Sequence, residues 1–173
     1  MGYSDQERLR GVAGWLAFLC IVLMFISPAW SLIGTGIEFN GAERDHPGLS
    51  EIPEWRTVKI FVWLLTGAGA VLSIYAGWRL NSVHRPSSVR LAIATMWALG
   101  PGSLLIGGAV AALAFDVAFL SDPQDTRDLA RSIAAPSLWT FYLLLSRRVK
   151  NTYYEEDEAV TGEGPAAAEE PTR

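Results

Sequence analysis

The stretch that decides the fold runs from Gly11 to Ile33 and reads GVAGWLAFLCIVLMFISPAWSLI. It carries no charge, and as an α-helix it would be about 35 Å long, enough to cross a hydrocarbon core of about 30 Å. Arg8 and Arg10 precede it, as basic residues precede the apolar core of a signal peptide. The block is longer than such a core usually is, however, and no clean cleavage site follows it. We expect an uncleaved anchor helix, which Pro28 either kinks or helps to end.

Three further apolar blocks follow along the chain. The third is interrupted by Gly100-Pro101-Gly102, and because Pro101 cannot donate to the carbonyl of Trp97, we expect a helix kink there. The fourth is the shortest and carries Arg131 in its first turn, so it spans only if Arg131 reaches the interface or the bilayer thins. The sequence predicts an all-α polytopic membrane protein, a bundle of four transmembrane helices at about 11–33, 58–80, 91–117 and 129–146.

The composition agrees with a chain whose main solvent is lipid. Of its 173 residues, 50% are hydrophobic and 18% are charged, whereas a soluble domain is nearer one quarter charged. No basic stripe with interleaved aromatic residues is present, so nucleic acid is not an expected partner. Cys20 is the single cysteine, which excludes an intrachain disulfide and a cysteine metal cage.

The polar segments divide the chain into an N-terminus (1–10), a transmembrane domain (11–154) and an acidic tail (155–173) that is expected to be disordered. Glycine, proline and charge in 34–57 predict a loop, with at most one short helix near Ile52–Trp55. A tight turn is expected from Asn81 to Ser88 and an acidic connection from Ser121 to Asp128.

The distribution of basic residues predicts that both termini lie in the cytoplasm. The turn between the second and third blocks carries Arg79, Arg85 and Arg90 without an acid, and Arg147, Arg148 and Lys150 follow the fourth block. The two opposite connections carry more acids than bases, and short cytoplasmic loops are the ones enriched in Lys and Arg.

Small residues recur at helix-contact spacing on two helices. The two sets are Gly69, Ser73 and Gly77 on the second, and Ser103, Gly107 and Ala111 on the third. Such faces let helix backbones approach closely in lipid. Packing inside the chain's own bundle is the favoured interpretation, and a homo-oligomer interface is the alternative.

Residues that could carry chemistry are few. Asp116 lies about 39 Å along the helix from Arg90, which places it at the far interface rather than in mid-bilayer. His46 and His84 fall on opposite sides of the membrane, and His46 with Glu43 and Asp45 is more simply a solvated loop than a cation site. No motif of a metalloprotease, a serine hydrolase or a phosphate-binding loop occurs. We therefore expect no catalytic residue, no metal and no cofactor.

The end of the fourth block carries a resemblance to a known family. Ser137-Leu-Trp139-Thr-Phe-Tyr142, followed by Ser146-Arg-Arg-Val-Lys-Asn-Thr152, resembles the closing signature of the domain of unknown function 2569 (DUF2569) family. Gly14-Trp15-Leu16, opening the first block, is similar to the start of that family, whereas Tyr153 stands where its phenylalanine is usual. The resemblance implies a four-helix protein of the bacterial inner membrane. It marks as family-motif and inner-face anchor residues Gly14, Trp15, Leu16, Trp139, Tyr142, Ser146, Arg147, Arg148, Val149, Lys150 and Thr152.

Two hypotheses for function follow. The first is a non-enzymatic accessory or interaction protein whose partners are the lipid bilayer and a second copy or another membrane protein. The second is a small transporter or channel component, suggested by the Gly100-Pro101-Gly102 break and Asp116.

Overall fold

The computed structural model describes Val12, residues 14–115 and residues 123–154, and these residues are almost entirely helical, with no β-strand among them. The α-helices are α1 (Trp15–Ile21), α2 (Ser27–Asp45), α3 (Pro53–Ser82), α4 (Pro86–Trp97), α5 (Ser103–Phe115), α6 (Pro123–Leu145) and α7 (Arg147–Tyr153). A π-helical turn, Val22–Ile26, links α1 to α2, and a second, Ala98–Gly102, links α4 to α5. A 3-10 turn, Pro47–Glu51, precedes α3.

The predicted loop at 34–57 is wrong for most of its length. Helix α2 continues through it to Asp45, because tertiary contacts with α3 offset the weak helix propensity of its glycines. The Thr35 and Thr66 hydroxyls lie 3.2 Å apart, and nearer the end of α2 the Phe39 and Trp55 rings pack edge to face at 5.5 Å. The first helical stretch, Trp15–Asp45, therefore has 31 residues, about a third more than the apolar block from Gly11 to Ile33.

Three prolines that look like turn residues in the sequence instead begin helices. Pro53, Pro86 and Pro123 each start one, since a first-turn residue needs no amide donor. Helix α3 consequently begins at Pro53, α4 begins inside the predicted 81–88 turn, and α6 begins well before residue 129. The predicted short surface helix near Ile52–Trp55 is the first turn of α3.

Within the described residues, three helical stretches are long and apolar enough to cross a membrane. They overlap the first three predicted blocks and run Trp15–Asp45, Pro53–Ser82 and Pro86–Val110. Helix α6 does not meet this measure, because Arg127, Asp128 and Arg131 lie in its first half.

The core lies at the end of the bundle where α1, α3, α4, α6 and α7 meet. Leu16, Leu19, Leu80 and Val89 are fully buried there, together with Tyr153 from α7. Toward the other end the first helical stretch packs mainly along α3. The densest packing is therefore near the chain's family-like motifs.

Candidate functional site

The opening and closing motifs of the family resemblance lie side by side. Gly14 has a positive φ of 61°, which suits glycine at the entry to α1, and its carbonyl accepts the Phe18 amide. Trp15 and Phe18 pack against Trp139 of α6, with ring centroids 6.4 Å and 6.1 Å apart, and the Tyr142 ring lies 5.8 Å from that of Trp139. An aromatic cluster thus joins the first and last long helices.

Helix α7 is held at both of its ends. The Ser146 amide donates to the Tyr142 carbonyl at 2.9 Å, where α6 ends. At the other end the Tyr153 hydroxyl donates to the carbonyl of Leu80, one of the last-turn carbonyls of α3 that lack an amide partner. Burial, with smaller contributions from Cys20 and Tyr142, raises the pKa of Tyr153, so this hydroxyl keeps its proton at physiological pH.

The small-residue face of α3 is closed by other parts of the chain. A methyl group added at Gly77 would lie 2.6 Å from Met24 Cγ, 3.0 Å from Leu23 Cβ and 3.2 Å from the Cys20 carbonyl oxygen. At Gly69 the nearest atom would be Leu99 Cδ2, at 2.8 Å. This face therefore packs against α1 and the first π-turn at Gly77, and against Leu99 of the second π-turn at Gly69.

Ser73, on the same face, supplies a donor that the backbone lacks. The Ser27 amide bonds the Val22 carbonyl in the π-turn, and Pro28 has no amide hydrogen, so the carbonyl of Leu23 has neither of its usual partners. The buried Ser73 hydroxyl donates to it at 2.7 Å. Pro28 thus does not end the helix, and the Leu23 carbonyl is satisfied by Ser73.

The small-residue face of α5 is open. Outside its own helix, no heavy atom of the described chain lies within 4 Å of a methyl group placed at Gly107. The Ser103 hydroxyl, at the start of α5, donates to the Leu99 and Gly100 carbonyls of the preceding π-turn. Ala111 also lies on α5, and its side chain is outside the described set. The neighbouring Leu104, Leu105 and Ile106 are all exposed.

Two proline-containing helices meet where the second π-turn contacts α6. A methyl group at Gly100 would lie 3.0 Å from the Ser132 carbonyl oxygen and 3.1 Å from Pro136 Cγ. Pro136 lies inside α6 and cannot donate to that Ser132 carbonyl. The predicted interruption at Pro101 therefore takes the form of a π-turn packed on a second proline.

Thr95, one turn before this break, has a buried hydroxyl without a hydrogen-bond partner in the described residues. Leu99 lies against Gly69, and α4 runs antiparallel to α3. Thr95, four residues before Leu99, therefore lies at about the level of Ser73, four residues after Gly69. Sequence reasoning did not single out Thr95, since nothing in the neighbouring sequence indicates that its hydroxyl is buried.

The opposite end of the bundle carries an ion pair with aromatic neighbours. Glu43 accepts from Lys59 at 2.7 Å and from the Trp55 indole at 3.1 Å, and Lys59 lies over the ring of Phe39. Glu43 is thus engaged with α3 rather than with His46. Among the described residues no cluster of three or more potential metal ligands occurs.

Several predicted features lie outside the described residues. They are the N-terminal Arg8 and Arg10, Asp116, residues 121–122 of the predicted acidic connection, and the acidic tail at 155–173. Sequence reasoning missed the role of Tyr153 as a buried cap on α3. The signal available for it was only its place at the end of the closing motif.

A family model described as "Protein of unknown function (DUF2569)" matches residues 9–154, which confirms the predicted resemblance. No curated protein and no solved structure matches the chain.

Proposed function

The chain belongs to the DUF2569 family of proteins of unknown function, and we propose that it is a non-enzymatic membrane protein that works by binding another membrane helix. The occupant of the binding face is a helix of a second copy or of a different membrane protein. The single observation that carries the proposal is the contrast between the closed face at Gly77 and the open face at Gly107.

The open face has the chemistry of a helix-binding surface. Lipid tails are as apolar as leucine, so helices associate in a bilayer through close backbone approach at small residues. Ser103 and Gly107 supply such a surface on α5, with Leu104 on its flank. Gly34 and Gly67 are also open, but neither belongs to a repeat of small residues.

The proposed topology has four spans, with both termini in the cytoplasm of a bacterial cell and the chain in its inner membrane. Helix α6 has 23 residues and is about 35 Å long, but the part after Arg131 is only about 21 Å long, so this helix spans when Arg131 reaches back to the interface and the bilayer thins locally. A reporter fused after Arg173 would be active in the cytoplasm. Activity only outside the cell would contradict this topology.

The binding face can be tested with a photo-crosslinking amino acid placed at Leu104 or at Leu105. These neighbours are similarly exposed, at 42% and 45%, but helical geometry puts Leu104 beside Gly107 and Leu105 on the far side of the helix. In native membranes we expect a discrete protein adduct from position 104 and lipid adducts alone from position 105. The same adducts from both positions, or none from 104, would contradict the proposal.

A second candidate function is that of a small transporter or channel component. Paired helix breaks and unpaired polar groups at membrane depth are typical of substrate pathways. Here the Gly100–Ser132 contact joins two proline-containing helices, and the Thr95 hydroxyl is buried without a partner in the described chain.

Flux measurements in liposomes test this candidate. A transporter would show flux that falls in Thr95→Val, Pro101→Ala and Asp116→Asn, with Gly67→Ala as a matched control. An absence of flux for every ion and metabolite tested would leave the candidate without support.

A further inference from the structure

One end of the bundle carries positive charge without any acidic residue in the described chain. We call this the basic end, and it consists of α7 together with the α3–α4 connection and its flanks. The acidic residues of the described chain, including Glu43 and Asp128, belong to the opposite end, which we call the acidic end. The basic side chains are Arg79, Arg85, Arg90, Arg147, Arg148 and Lys150.

The positive charge of the basic end is not compensated by the described residues. The ion pairs they form with one another, Lys59–Glu43 and Arg131–Asp128, both lie at the acidic end. Arg79 donates to the Tyr75 and Ser87 hydroxyls, which are neutral. The acidic run that begins at Glu155 lies outside the described residues.

The two elements of the basic end form one surface. The Tyr153 hydroxyl donates to Leu80 at the end of α3, and the His84 ring lies 5.7 Å from the ring of Tyr153. Val149 and Tyr153 are fully buried, which turns the opposite side of α7 outward. Arg147 and Lys150, three residues apart, are exposed on that side, and Arg148 is half-buried.

Exposed apolar side chains adjoin these charges directly. Leu144 and Leu145, the last residues of α6, are exposed by 50% and 71% of their surface, and Arg147 follows two residues later. On α3, Tyr75 and Trp78 are exposed immediately before Arg79. Toward the basic end, exposed apolar and aromatic side chains are thus followed by basic side chains. This is the order of acyl tails, interface and headgroups in one leaflet of a bilayer.

We propose that the basic end is a binding surface for the headgroup phosphates of anionic phospholipids, with Arg147, Arg148 and Lys150 as its main contacts. Arginine pairs with phosphate through two parallel hydrogen bonds, and lysine acts as a point charge. A soluble polyanion would satisfy the charges but would leave Leu144 and Leu145 uncovered. A lipid satisfies both requirements, and this inference does not depend on a partner for α5.

The test compares lipid retention by the full-length protein purified from vesicles of equal parts phosphatidylglycerol and phosphatidylcholine. Retained lipid is counted by native mass spectrometry for the wild type and for Arg147→Gln/Arg148→Gln/Lys150→Gln. A basic residue near an anionic surface contributes about fivefold in binding, so we expect affinity for phosphatidylglycerol to fall about 100-fold in the triple variant. The wild type should also prefer phosphatidylglycerol and should lose that preference at high salt.

The matched control, Arg44→Gln/Arg56→Gln/Arg127→Gln, removes three exposed positive charges from the acidic end and should retain phosphatidylglycerol like the wild type. Equal loss in both triple variants, or no preference over phosphatidylcholine, would overturn the proposal. Displacement of the lipid by millimolar inorganic phosphate would overturn it in favour of a free-anion site. If the triple variant fails to fold, Lys150→Gln alone should lower affinity about fivefold, and an unchanged affinity would contradict the proposal.

Discussion

The small-residue faces of α3 and α5 have similar sequences and different surroundings. Gly77 is closed by Met24, Leu23 and the Cys20 carbonyl, whereas Gly107 has no described atom outside its own helix within 4 Å of an added methyl group. The same pattern therefore serves packing inside the chain at one site and leaves a surface open at the other. Spacing alone predicts that a helix backbone can be approached closely, but not which helix approaches it.

The largest expected effect is that of Gly77→Ala. The new methyl group would overlap Met24 Cγ and crowd the Cys20 carbonyl, so we expect the protein to lose about 1–3 kcal/mol of unfolding free energy. The measurement is reversible unfolding by SDS titration in mixed micelles. Gly67→Ala is the control, because it lies on the same helix with open space around it. Equal losses in both variants would mean that the face is not closed as described.

The next effect is that of Ser73→Ala, which removes the donor to the Leu23 carbonyl and should destabilise the fold by about 1–2 kcal/mol. Whether Pro28 creates the need for this donor can be tested with Pro28→Ala, which restores an amide hydrogen at residue 28. In the Pro28→Ala background we expect Ser73→Ala to lower the free energy of unfolding by less, as measured by a double-mutant cycle in the same unfolding assay. An unchanged cost would show that Pro28 does not create the need for Ser73.

A smaller effect of opposite sign is expected from Thr95→Val. The substitution keeps the shape of the side chain and removes a buried hydroxyl without a described partner, so stability should rise by about 1 kcal/mol. A loss of stability would mean that this hydroxyl has a bound partner in the membrane, which would favour the transporter candidate.

The smallest effect is expected from Gly107→Ala. With no neighbour to clash with, alanine should raise stability by at most about 1 kcal/mol through its better helix propensity. The same unfolding assay measures it in the isolated, monomeric protein. A clear destabilisation would indicate that the α5 face is packed inside the chain after all.

The sequence located the apolar part of the fold better than its edges. The first three blocks overlap the three helical stretches that are able to cross a membrane, because length and absence of charge suffice to identify them. The predicted helix boundaries were wrong at 34–57 and at Pro86, where glycine and proline were interpreted as helix breakers. Contacts such as Thr35–Thr66 and the first-turn position of Pro86 override that local preference.

The candidate site was only partly predictable, for a different reason. The motif residues Trp15 and Trp139 were both identified, but their contact depends on tertiary structure that no local pattern encodes. The hydrogen bond between Ser73 and the Leu23 carbonyl likewise depends on a π-turn that the sequence does not predict. The sequence shows only that Pro28 lacks an amide hydrogen. Small-residue spacing found both faces and could not distinguish the closed one from the open one.

The most direct test of the proposed function is the yield of the photo-adduct formed from position 104 in membranes, with and without Gly107→Leu. Because a methyl group at residue 107 meets no described atom outside its own helix within 4 Å, leucine should occupy the open face, and we predict that the adduct yield falls about tenfold while the protein remains about as stable as the wild type. An unchanged yield in a stably folded Gly107→Leu variant would contradict the claim that the α5 face binds a partner helix.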